Sequence, residues 1–131
     1  MVESPGQERF NERRNKCSPQ IREVLDFLMT VAANAGPDVE LPPTPELKGE
    51  GVKYRNGGGQ FCVIHLREKR VWARVDHNRK ARAALVADLK DAHLTFTREQ
   101  KDGPWVKIPN MPDAVRFVTF IAQAYDDRAG R

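Results

Sequence analysis

From Ser18 onward the chain reads as two successive hydrophobic rhythms. Apolar residues at Ile21, Val24, Leu25, Leu28, Val31, Ala32 and Ala35 recur at the i, i+3, i+4, i+7 spacing of a helix with one buried face. Ser18 stands where a helix cap belongs, Pro19 follows at the first helical position, and Gly36-Pro37 end the pattern. From Val52 the period becomes two. The runs "VKYR", "QFCVIHL", "RVWARVD", "HLTFT" and "WVKI" are separated by turn-forming or charged residues and read as antiparallel strands. The alanines and leucines of "RKARAALVADLKD" predict a short helix between the third and fourth. A closing helix is predicted from Asn110, a good cap, with Pro112 in the first turn and Asp113 near its positive end. Its stripe is expected at Met111, Ala114, Val115, Val118, Ile121, Ala122 and Tyr125.

Two segments have no period. Residues 1–17 are polar and charged and predict a flexible basic arm. The stretch "DVELPPTPELKGEG" carries three prolines and two glycines and predicts a surface connection. The pattern as a whole predicts one α+β domain over residues 18–128, an antiparallel sheet of about five strands packed with an N-terminal and a C-terminal helix.

The three glycines of "NGGGQF" raise the question of a phosphate-cradling loop. Such a loop works because its backbone N–H groups and a helix N-terminus directly behind it face the anion. Here a strand follows the glycines, and the spacing matches no nucleotide-binding signature. Asn-Gly between two strand-like runs instead predicts a hairpin turn.

The next hairpin fixes a register. With "REKR" as a four-residue loop, Leu66 faces Val71, Ile64 faces Ala73 and Cys62 faces Val75, which makes one wholly apolar face. The other face then carries Phe61, Val63, His65, Trp72, Arg74 and Asp76, joined across the glycine turn by Val52 and Tyr54. Two uses of that second face are open: a platform on which nucleic-acid bases stack beside a basic edge, or a second core layer covered by a helix.

Composition bounds the function. The 131 residues are enough for one core, and 40% hydrophobic with 31% charged residues is the balance of a globular protein. No apolar run approaches the about 20 residues of a membrane span, and the polar start lacks the apolar middle of a secretory signal, which predicts a cytoplasmic protein. The net charge of +4 favours acidic partners. Positive side chains gather at Arg9, Arg13, Arg14 and Lys16, and again at Arg67, Lys69, Arg70, Arg74, Arg79, Lys80 and Arg82, opposed in the second run by Glu68 and Asp76. Such runs are also what an ordinary solvated surface looks like.

Catalytic chemistry does not assemble. Cys62 and His65 are three apart on a strand and point to opposite faces, so they cannot share a metal. His77 and His93 lack ligand partners at a standard spacing, and no nucleophile elbow or activated-cysteine pattern is present. Pro37-Asp38 followed by Glu46-Leu47-Lys48 formally resembles the proline-aspartate and glutamate-x-lysine signature of a metal-dependent nuclease superfamily. The interval is short and proline-crowded, and Gly49 and Gly51 follow where a central strand should run.

The order of elements, with "AGPDVE", "KYRNGGGQFCVIHLREKRVWARV" and "MPDAVRFVTFIAQAYDD", resembles domain of unknown function 5655, a family of small bacterial domains, over about residues 18–127. The family's Gly-His pair before the fourth strand is matched in part by Ala92-His93. The resemblance implies a compact α+β domain, found alone or joined to larger proteins, and brings no established activity.

The expected function is therefore a non-catalytic binding module, nucleic-acid-associated through a basic hairpin and an aromatic sheet face. Its partner-binding residues are expected to be Arg67, Lys69, Arg70, Trp72, Arg74, Tyr54 and Phe61. The alternative is a protein-interaction module, meeting an acidic protein or a second copy of the chain as a homodimer. A metal-dependent nuclease-like enzyme is third. No catalytic residue, metal ligand, cofactor or membrane partner is expected.

Overall fold

The computed structural model describes residues 4–76, 82–97 and 103–128, with side chains in the second span from residue 84. The elements in chain order are α1 (Pro5–Asn15), α2 (Pro19–Ala33), β1 (Thr44–Pro45), β2 (Gly51–Asn56), β3 (Gly59–Arg67), β4 (Arg70–Val75), α3 (Arg82–Asp91), β5 (Thr95–Phe96), β6 (Val106–Ile108) and α4 (Met111–Arg128). The fold is α+β, with one antiparallel sheet in the order β1-β2-β3-β4-β6-β5.

The sheet has six strands where the pattern predicts about five. The additional one, β1, comes from the proline-rich connection: Thr44 lies opposite Lys53 and Pro45 opposite Val52. A proline cannot donate to a ladder, so it is tolerated on this edge, and so short a strand has no period to read.

Helices α2 and α4 pack on each other and on β3 and β4. Ser18 caps α2 by accepting from the Ile21 N–H, and Val24, Leu25, Leu28 and Ala32 bury its stripe. Asn110 likewise caps α4 by accepting from the Asp113 N–H at 2.9 Å. The buried stripe of α4 is rotated from the expected one. Phe117, Phe120 and Ala124 are buried together with Ala114, Ile121 and Tyr125, while Val115 and Ala122 face out. The two phenylalanines decide this, because burying a large ring removes more apolar surface from water than burying a valine or an alanine. Leu85 and Leu89 of α3 join the same core.

The stretch before Ser18 is a helix, in place of the structureless arm that its pattern suggests. Ser4 caps α1 through the Gln7 N–H, and Pro5 opens it. Phe10 is 1% exposed and Cys17 is buried, both in the main core. Arg14 pairs with Asp26 of α2 through both of its carboxylate oxygens. One buried phenylalanine is worth about 1.5–3 kcal/mol, which anchors a helix with no stripe of its own. A single buried ring leaves no periodic signal.

Candidate binding site on the second sheet face

The β3–β4 register is the expected one: Leu66 opposite Val71, Ile64 opposite Ala73, Cys62 opposite Val75. The turn between them is tighter than the four-residue loop inferred from the sequence. Arg67 pairs with Arg70, leaving Glu68 (φ 53°) and Lys69 (φ 58°) as two central residues, both left-handed. That is the hairpin turn whose twist matches the strands, although glycine or asparagine usually supplies it.

Across the glycine turn the register slips. Tyr54 lies opposite Cys62 and Arg55 opposite Gln60, so Phe61 is an extra residue and β3 bulges there. Tyr54 and Val52 are thereby turned to the helix-covered face with Cys62 and Ile64. Phe61 packs edge-on against Tyr125 of α4, ring centroids 5.5 Å apart. Tyr54 and Phe61 are both buried, so the structure removes these two from the second face. Burial pushes the Tyr54 hydroxyl and the Cys62 thiol well above their ordinary ranges, as expected of groups in an apolar core.

What remains on the second face is joined by residues of β6. Trp72 lies opposite Lys107 in the β4–β6 ladder, and Trp105, two positions before Lys107, falls on the same face. The Trp105 ring lies 4.2 Å from His65, centroid to centroid, and the Arg74 guanidinium sits over it at 4.9 Å. Arg74 also binds Asp76 at 2.9 Å, and Gln60 donates to the other carboxylate oxygen of Asp76. Arg74 is therefore a positioning residue, held between an indole and a carboxylate.

His65 Nε2 meets Glu46 Oε1, and the His65 Nδ1 is buried without a hydrogen-bond partner among the described residues. Contact with His65 holds the Glu46 carboxyl below the usual carboxylate range; burial opposes this, and Lys53 and Arg74 reinforce it.

These side chains frame a groove of about 320 Å³ lined by His65, Arg67, Glu68, Trp72, Thr97 and Trp105. Arg67 is more than half exposed, and Arg70 lies opposite it on the same face. Lys69 lies across the turn in a different cavity. Of the expected binding residues, Arg67, Trp72 and Arg74 thus converge with Arg70 close by. Trp105, Thr97 and Glu46 were not anticipated. The alternation of "WVKI" could have given the facing of Trp105, but not which strand it would join. The basic residues Arg79 and Lys80, with His77, lie outside the described residues, as does the Arg82 side chain.

The glycine turn is not available to a phosphate. Asp38 accepts from the Gly57 N–H at 3.3 Å and from the Tyr125 hydroxyl, and the Gly58 N–H donates to Asn56 Oδ1 at 2.8 Å. A carboxylate thus occupies the position an anion would take. The carbonyl of Arg128 also lies so close to Gly58 that a β-carbon there would overlap it. Asp38 and Glu46, the acidic halves of the nuclease-like signature, have these separate partners. Among the described residues no group of three His, Cys, Asp or Glu side chains is placed to hold a metal ion, and no helix is long and apolar enough to cross a membrane.

No family model, no curated protein and no solved structure matches this chain.

Proposed function

We propose that the chain is a non-catalytic binding module that takes single-stranded nucleic acid on its second sheet face, with a base lodged against Trp72 and Trp105. The observation that supports this most is the groove itself: two indoles and a solvent-accessible arginine converge on it, with Arg70 beside it on the same sheet face. Aromatic walls suit any base because every base has a π-face, while the neighbouring cations suit the phosphates. Trp105 is fixed in advance by His65 and Arg74, so a ligand would meet a wall that is already ordered. The large exposed apolar side chains Leu41, Leu47 and Val115 do not line the groove, which favours a charged ligand over a second protein chain there. The resemblance to domain of unknown function 5655 supplies no activity, so the reading stands on this geometry.

The chain has two tryptophans and both line the groove, so tryptophan fluorescence, excited selectively over tyrosine, reports on the groove. Short single-stranded oligonucleotides are expected to quench it with an affinity that falls steeply with salt. Trp72→Ala is expected to weaken binding by about 1–3 kcal/mol per lost stacked base, with the fold retained. Absence of salt-sensitive binding at low ionic strength would overturn the reading.

A further inference from the structure

A second cavity, about 380 Å³, lies on the other side of the β3–β4 turn, between that turn and α1. Arg9 and Arg13 reach it from one face of α1 and Lys16 from the C-cap of that helix, Lys48 from the β1–β2 connection and Lys69 from the turn, opposed by Glu12 and Glu68. Arg9 is tied to the Leu47 carbonyl at 2.7 Å, which joins α1 to that connection. Among the described residues Arg13, Lys16, Lys48 and Lys69 have no carboxylate partner, although Glu12 and Glu68 line the same cavity. Several like charges gathered on one concave surface repel one another, and that cost is offset when an anion sits among them. Glu68 lines this cavity and the tryptophan groove, so the two are separated only by the turn.

We infer that this cavity is a phosphate-binding continuation of the groove. A single strand with a base against the tryptophans passes over residues 68–69 and lays its backbone phosphates against Arg13, Lys16, Lys48 and Lys69. This rests on the groove binding a base, and it adds a property that the groove alone lacks: affinity that grows with strand length on the α1 side.

The test compares a thymidine trinucleotide with a thymidine dodecanucleotide, each 5′-labelled with fluorescein, on the full chain. Tryptophan quenching reads the groove and fluorescein anisotropy reads total binding. The longer strand is expected to bind about a hundredfold tighter at low salt, beyond the roughly tenfold that its alternative binding registers supply, with a log-log salt slope steeper by about 2, as for roughly three neutralised phosphates on a single strand. Arg13→Glu combined with Lys48→Glu should cut that length gain to the register factor alone, remove the added salt slope and leave trinucleotide quenching within about twofold. Lys16→Gln with Lys69→Gln, which adds no negative charge, should reduce the gain by a smaller factor. A length gain unchanged in both double variants, with circular dichroism showing both folded, overturns the inference while leaving the groove reading intact. If neither strand quenches tryptophan but anisotropy shows dodecanucleotide binding that the charge reversal removes, the groove reading fails and the cavity stands as a phosphate site. If anisotropy shows no dodecanucleotide binding, both are overturned.

Discussion

The two hairpin turns flanking β3 invert what their sequences advertise. The first, residues 56–59, holds three glycines and has the look of a ligand loop. Its N–H groups are engaged by Asp38 and Asn56, and the end of α4 lies against Gly58. The second is Glu68-Lys69, with no glycine, yet both residues are left-handed and exposed, and a cavity opens on either side. At the first turn Gly58 allows close packing of backbone on backbone, and Gly59 supplies a positive φ of 123°. At the second, two charged residues accept an unfavourable conformation and in return present their side chains at the tip. The strained, exposed turn borders both cavities, whereas the glycine-rich turn borders neither.

The largest effect is expected at the α1 wall beside the second turn. Phe10→Ala removes the ring that seats α1 and is expected to destabilise the protein by about 3–5 kcal/mol in denaturant unfolding. Hydrogen exchange should show α1 amides losing protection while the Gly58 region keeps its own. Unchanged α1 protection would mean that the polar contacts of Arg14 with Asp26 and of Arg9 with the Leu47 carbonyl dock the helix without the ring. At the first turn, Gly58→Ala forces a β-carbon onto the Arg128 carbonyl and should cost about 1–3 kcal/mol. The outcome that would dissolve the contrast is a variant of wild-type stability that binds oligonucleotide less well. The smallest effect belongs to Lys69→Gly, which relieves the left-handed strain and should stabilise the fold by up to about 1 kcal/mol while lessening the dodecanucleotide's advantage over the trinucleotide. A destabilised Lys69→Gly would show that the lysine makes a contact worth more than the strain.

Much of the frame was legible in the residues. The stripe and N-cap of α2, the cap of α4 and the facing of Leu66 with Val71 all follow from local rules: a 3.6-residue period, a cap beside a proline, a two-residue period across one turn. The site was legible only in part. Trp72, Arg74 and Arg67 fall on one face by alternation along a single hairpin. Tyr54 and Phe61 were misplaced because one extra residue at Phe61 reverses the facing of everything beyond it, and the sequence "QFC" carries no mark of a bulge.

The sequence by itself determined the class of each long element and the face of each strand within one hairpin, because those depend on neighbours a few residues apart. The tertiary structure decided the rest. It seats β6 rather than β5 beside β4, which brings Trp105 over to His65 and Arg74. It seats α1 through one phenylalanine, which turns a dispersed set of cations into the wall of a cavity. It also lays the end of α4 against Gly58, closing the loop that looked open. Each is a contact between residues far apart in the chain, settled by which surfaces bury the most apolar area together, and no local period records that outcome.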